Sequence, residues 1–202
     1  MRISLPAWVL RALTAAMLCI FLWRAVGQWL ESPTLTLSLV IIGEVVTLSI
    51  YLAARPASNS RVGFIPIIST LVATFFFYVV VLEPGAALAP LWLTATLQIV
   101  AVLWQIVSKL SLGRSFGLLP ANRGIVTHGT YRVVRHPIYL GYFVGHMAFL
   151  LASFSWSNLY LFACLYFFQG LRIREEEKVL IQDPAYASYA ERTRYRLIPG
   201  VI

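Results

Sequence analysis

The feature that most constrains this chain is a succession of long apolar runs broken by short polar turns. Apolar sequence is nearly continuous from about Pro6 to Leu30, Thr34 to Ala54, Phe64 to Leu82 and Ala89 to Leu110. Each run approaches the ~20 helical residues needed to cross a hydrocarbon core of roughly 30 Å. A soluble alternative fails on composition. Of the 202 residues, 59% are hydrophobic and only 12% are charged, too few polar side chains to cover the surface of a soluble domain. Two further helices are expected after a long polar stretch. Pro137 starts one that runs to about Ala152, short for a full span, and the other begins near Leu159 and continues past the membrane to about Ile181. Together they read as a helical hairpin. Asp183-Pro184 then reads as an N-cap followed by proline at the first helical position. The short helix it opens, to about Thr193, is too polar to span and is expected at the membrane surface. The fold predicted is all-α, a polytopic membrane helical bundle of about six transmembrane helices in one compact domain.

The charge of +8 is informative through its distribution. Arginines and lysines gather in the 55–61 loop, the 111–136 stretch and the C-terminal tail, while the turns near 31, 83 and 155 carry none. With six helices all the basic loops fall on one side together with the N-terminus, and the positive-inside rule makes that side cytoplasmic. This is a topology signal and an attraction to anionic membrane lipid, so no nucleic-acid partner is expected. The apolar N-terminal run, interrupted by Arg11, is long enough to span and is read as a transmembrane helix, not a cleaved signal. Cys19 and Cys164 read as buried thiols; their spacing offers neither a disulfide framework nor a metal site. Inside helix 2, Glu44 is an intramembrane carboxylate. It is expected either to line a substrate cavity or to bond a neighbouring helix through Arg11 or Arg24. Gln98 and Gln105 share one face of helix 4.

Two polar clusters stand out. In Arg135-His136-Pro137-Ile138-Tyr139, proline at a helix start leaves N–H groups facing whatever approaches an electropositive helix end. Arg135 adds a permanent cation, His136 a donor or acceptor, and Tyr139, one turn on, an aromatic wall. The second cluster is Arg172-Ile-Arg174-Glu175-Glu176-Glu177-Lys178, in which Arg172 and Glu176 share a helix face. Both patterns also suit ordinary structure, a helix entry and a surface salt-bridge ladder. His146, ten residues after His136, suits either the acceptor path or helix packing, and His128 reads as an exposed loop residue.

Taken jointly, Gly124-Ile-Val-Thr-His-Gly-Thr-Tyr131, Arg135-His-Pro-Ile-Tyr139, the Glu176-Glu177 pair and the tail Tyr186-x-x-Tyr189…Leu197-Ile-Pro199-Gly resemble the isoprenylcysteine carboxyl methyltransferase and phospholipid methyltransferase superfamily of integral membrane enzymes. The likeness covers about Leu112 to Ile202. It implies S-adenosyl-L-methionine as cofactor, held by Gly124, Ile125, Val126, Tyr131, His136, Pro137, Ile138, Tyr139, Glu176 and Glu177. Leu180 sets the register of that pair and leaves Glu175 extra. Arg172 matches an arginine lying by the acceptor carboxylate and the reacting methyl, so it is the residue expected to carry the chemistry. Arg135, His146 and Glu44 are weaker candidates for substrate contact, with Arg135 suited equally to the membrane boundary. Residues 1–110 would then be a four-helix portion for scaffold and substrate access, and 111–202 the cofactor-binding catalytic portion. The expected function is methyl transfer to a lipophilic acceptor entering from the bilayer, without a metal. A prenylcysteine-like carboxylate, a phospholipid amine and a small thiol all remain open as acceptors. A nicotinamide-dependent sterol-type reductase on a related scaffold and a non-catalytic lipid-binding protein are the readings outside methyl transfer.

Overall fold

The computed structural model describes residues 7–31, 33, 35–55, 59–60, 63–80, 85–117 and 119–201. Seven α-helices are present among them: α1 (Ala7–Glu31), α2 (Leu35–Leu52), α3 (Phe64–Phe75, extended by a 3-10 turn over Phe76–Val79), α4 (Leu91–Leu112), α5 (Pro137–Ala152), α6 (Trp156–Leu180) and α7 (Pro184–Arg192). A two-residue antiparallel ribbon pairs β1 (Asn59–Ser60) with β2 (Ala121–Asn122). The expected helix start at Pro6, most of the Arg55–Arg61 loop and the turn at Glu83-Pro84 lie outside the described residues.

α4 organises the bundle. It packs against α2 on one side and α5 on another; α1 leans on α2, and α3 on α6. Close approach of α4 and α5 depends on small residues. A Cβ on Gly141 would stand 2.5 Å from Gln105 Cγ and 3.2 Å from the Ala101 carbonyl oxygen, and one on Gly145 would meet Ala101 Cβ at 3.5 Å. Trp104 Nε1 donates to the Pro137 carbonyl at 2.8 Å, which pins the first turn of α5 to α4. At the far end of α5, Ala86 and Phe154 exchange backbone hydrogen bonds of 3.0 and 2.8 Å. The α5–α6 turn is thereby tied to the segment that leads into α4.

Two helical stretches, Arg11–Glu31 and Leu91–Ser115, are long and apolar enough to cross a membrane, while Ser38–Leu52, Phe64–Ala73 and Pro137–Ala152 are shorter apolar helices. α3 holds 12 residues, about 18 Å at 1.5 Å per residue, shorter than the run from Phe64 to Leu82 suggests. The outer surface carries large apolar side chains: Trp23 and Leu91 are each 80% exposed and Trp92 70%. Cys19 and Cys164 are on this outer surface, so the expectation of buried thiols is corrected. Their apolar neighbours in sequence mark an exposed helix side, not a core.

The expected α5–α6 hairpin is present, its two antiparallel helices meeting through side chains from Tyr139 and Glu176 to Phe149 and Phe162. The two helices follow one another through a short turn, but their backbones touch sparingly. α5 closes on α4 and α6 on α3, leaving a wedge between them that aromatic side chains fill. His146 stacks on Phe162 (centroids 4.9 Å apart, planes 10° apart), meets Phe76 edge-on and shares a 2.7 Å hydrogen bond between Nδ1 and the Tyr166 hydroxyl. His146 is thus a packing residue of this aromatic block.

Arg11 does not serve Glu44. Its Nη2 donates to the carbonyls of Leu52, Tyr51 (3.4 Å) and Ala54 (3.5 Å), capping the electronegative end of α2. Glu44 instead lies within electrostatic reach of Lys109 on α4. Lys109 is 4% exposed and places its Nζ 5.6 Å from the centre of the Tyr142 ring. The Glu44 position therefore belongs to the α2–α4–α5 contact and is separate from the α5–α6 wedge.

Candidate active site

The polar end of the wedge brings the two sequence clusters together. Glu176 and Glu177 are adjacent on α6, so their side chains leave the helix about 100° apart and knit two different walls.

Glu176 faces α5. The Tyr139 hydroxyl donates to its Oε2 at 3.0 Å. Arg172, one turn earlier and 6% exposed, holds its guanidinium 5.3 Å from the centre of the Tyr139 ring, a cation–π contact. His136 stacks on the same tyrosine: the His136 and Tyr139 rings are 5.6 Å apart and 7° from parallel. Arg123, in the preceding loop, also senses the Glu176 charge. Burial lowers its pKa and Glu176 opposes that shift. Tyr131 is buried, and its pKa is raised first by that burial and then by Glu176.

Glu177 faces the entry of α5 and the C-terminal tail. Arg196 Nε donates to Oε2 at 2.8 Å, His136 Nε2 lies 3.2 Å from Oε1, and the Tyr186 hydroxyl donates to Oε1 at 3.3 Å. Arg135 Nε is also 3.2 Å from Oε1, but it makes no aligned hydrogen bond, so the contact is one of charge. Burial alone would raise the Glu177 pKa. The hydrogen bond and charge of His136, the Arg196 hydrogen bond and the Arg135 charge outweigh burial and hold it at about 2. Arg135 is thus an ion-pair partner in the protein interior, with a side chain 12% exposed.

The tail reinforces this wall through its backbone. The N–H groups of Arg135 and His136 donate to the carbonyls of Tyr195 and Arg196, both at 2.9 Å. Tyr131, Tyr186 and Tyr189 form a buried cluster, with Ile125, Val126 and Leu180 packed against it. The Tyr189 hydroxyl donates to the Tyr131 carbonyl at 2.7 Å. α7 therefore lies over the 124–131 loop. Its start is fixed by Asp183, whose Oδ1 accepts from the Ala185 N–H at 3.0 Å while Oδ2 accepts from Asn122 Nδ2 at 2.9 Å.

Of the residues singled out from sequence, His136, Tyr139, Arg172 and Glu176 meet at the wedge, and Pro137 begins the helix behind them. Glu177 and Arg135 meet one face away. Ile138 is buried. Gly124 adopts φ +103°, a backbone conformation that favours glycine, and its N–H donates to Asn122 Oδ1 at 2.9 Å. Glu44 and His146 are not brought to this end. Sequence reasoning missed three residues that build the site. Asn122 ties the loop to α7, Arg123 is buried beside Glu176, and Arg196 completes the Glu177 cluster. The signal for Arg196 was its place directly before the Leu197-Ile-Pro199-Gly motif; Asn122 and Arg123 directly precede the Gly124 motif. Glu175, extra to the family register, is buried at 6% exposure and pairs with Lys178 Nζ at 2.5 Å.

No curated protein matches this chain. Residues 94–182, which run from α4 through the end of α6 and carry both walls of the wedge, match the model of the isoprenylcysteine carboxyl methyltransferase (ICMT) family, and the resemblance borne by the motifs is shown over that stretch.

Proposed function

We propose that this protein is a membrane-embedded methyltransferase that takes its methyl group from S-adenosyl-L-methionine and passes it to a lipophilic acceptor, of which a prenylcysteine-like carboxylate fits best. The observation that carries this reading is the meeting of Arg172, Glu176 and Tyr139 across the α5–α6 wedge, inside the stretch that matches the family. Bound there, the cofactor supplies a methyl group on a positively charged sulfur.

The donor set fits such a molecule. Glu176 offers a carboxylate to hydroxyls or an ammonium. Tyr131 and Tyr139 lend an aromatic wall against which a purine can pack. Thr130 Oγ1 is buried without a hydrogen-bond partner in the loop, a polar atom of the kind that a bound polar ligand satisfies. In this reading Gly124, Ile125 and Val126 shape the loop wall, and His136, Pro137 and Ile138 form the helix entry. Glu177 acts from behind, holding Arg135 and His136 in place. Arg172 cannot act as a base, because a guanidinium stays protonated; it orients an anionic acceptor. An acceptor that arrives as a carboxylate needs no base, and its displacement chemistry depends mainly on alignment. α7 and the tail shield the loop from water.

We further propose six membrane crossings, with both termini and the wedge on the cytoplasmic side, and an acceptor that enters from the bilayer through the apolar half of the wedge. Incubation of the purified protein with labelled S-adenosyl-L-methionine and a panel of prenylated carboxylates, phospholipid amines and lipophilic thiols tests the activity. Label appearing in a prenylated carboxylate is the expected result. Binding of NADPH, with no affinity for S-adenosylhomocysteine, would assign the protein to reduction instead.

A further inference from the structure

Gln169 carries an unexplained donor. The residue is 6% exposed, and its Nε2 is buried with no hydrogen-bond partner. Buried amide donors are almost always paired, because an orphaned one forfeits its hydration without return. The position of this one is specific. At 100° per residue, Phe162, Tyr166, Gln169, Ile173 and Glu176 fall on a single face of α6, with Arg172 at its flank. Side chains of that face meet α5 above and below Gln169. Phe162 and Tyr166 contact His146, and Tyr166 also meets Phe143, at the apolar side. Glu176 and Arg172 meet Tyr139 at the polar side. Gln169 is three residues from Arg172, about 4.5 Å along the axis, and lies between the aromatic block and the charged end.

We infer that Gln169 is an acceptor-contacting residue that donates, together with Arg172, to an oxygen of the acceptor's polar group. The inference rests on the methyltransferase reading and deepens it. A guanidinium only donates, and the unpartnered atom of Gln169 is a donor as well. Two donors one turn apart suit a carbonyl or carboxylate oxygen. They repel an ammonium and leave a thiol without a matched partner. The lipophilic chain of the same molecule would lie against the aromatic block around His146, which gives that packing cluster a place in recognition. Specificity for an oxygen acceptor over an amine is therefore set on α6, one turn deeper than Arg172.

The competing assignment is a structural one, in which Gln169 serves α3, the helix packed on α6. The two are separated with the full-length protein in detergent. S-adenosylhomocysteine affinity is measured first, and then affinity for N-acetyl-S-farnesylcysteine, its methyl ester and farnesylamine, for wild type, Gln169→Leu and Gln169→Glu. The inference expects the carboxylate probe to bind wild type more tightly than the amine. It expects Gln169→Leu to weaken the carboxylate probe by about tenfold or more while keeping S-adenosylhomocysteine affinity and the melting temperature of the unliganded protein. Gln169→Glu, similar in shape but anionic, should weaken the carboxylate probe further and the ester less. Unchanged carboxylate affinity in both variants overturns the inference, as does a wild type that binds no oxygen-bearing probe or prefers the amine. A lower melting temperature of unliganded Gln169→Leu assigns the residue to α3 and also overturns it. Loss of S-adenosylhomocysteine binding by wild type itself refutes the cofactor reading instead, and the acceptor probes are then compared in its absence.

Discussion

Replacing Glu177 by glutamine should destabilise the protein in a pH-dependent way. The carboxylate accepts from Arg196 and Tyr186 and sits at 3.2 Å from both His136 Nε2 and Arg135 Nε. Against burial, these partners lower its pKa from the ordinary 4.5 to about 2. A group whose folded pKa is depressed contributes stability that is full above its unfolded value and is lost as pH falls through the folded one. The relevant window therefore runs from about 4.5 down to about 2. The difference of those two values, at 1.36 kcal/mol per unit, gives about 3 kcal/mol at neutral pH. That agrees with the roughly 3–5 kcal/mol lost when one partner of a buried ion pair is removed. For a chain of this size it corresponds to a melting temperature lower by about 6–12 °C. Thermal unfolding in detergent, followed by intrinsic fluorescence at pH 7 and at steps down to pH 3, measures it. The gap between wild type and Glu177→Gln should be full at pH 7 and narrow below pH 4.5. Equal melting temperatures at pH 7, or a gap that does not narrow in acid, would refute the assignment of Glu177 as a charged tie.

Two further substitutions probe the scaffold. Gly141→Leu should lower stability by about 1–3 kcal/mol through overpacking, since even a Cβ there would stand 2.5 Å from Gln105 Cγ; an unchanged melting temperature would mean that α4 and α5 are not this close. Asp183→Ala removes the α7 cap and the acceptor of Asn122. It should lower stability by about 1–2 kcal/mol and increase proteolysis near residues 180–195, which a digestion time course reports.

How much of this was legible in sequence follows from what each signal depends on. α5 was placed residue for residue, because Pro137 and the turn at Ser153 are local punctuation. The cap at Asp183 was equally plain. Hydropathy measures length of apolar sequence and is blind to where the backbone tightens, so the 3-10 turn from Phe76 inside the expected third helix was not legible, and the expected end at Leu82 lies outside the described residues. The α5–α6 hairpin was legible from its short turn, but the spacing of its backbones was not, because that depends on side-chain size on each helix. Gly141 and Gly145 let α5 close on α4, while Phe162 and Tyr166 meet α5 through the larger rings of Phe143, His146 and Phe149. At the site, the motif spacing pointed to the residues that meet at Tyr139 and Glu176. It was silent on Arg196 and Asn122, whose partners are 19 and 61 positions away. It also could not separate Glu176 from Glu177 in role, because only the fold shows that one faces α5 and the other the tail. The inter-helix reading of Glu44 named Arg11 or Arg24 on α1, whereas its electrostatic partner is Lys109 on α4 and the carbonyls ending α2 hold Arg11.

The central claim is that the wedge between α5 and α6 holds S-adenosylmethionine through Glu176. Calorimetric titration of S-adenosylhomocysteine into wild type and Glu176→Ala tests it most directly. The account predicts saturable one-to-one binding to wild type and an affinity lower by about 10- to 100-fold in Glu176→Ala, the effect of removing a hydrogen bond to a charged group. Equal affinity in the two proteins, with Glu176→Ala folded, would contradict it.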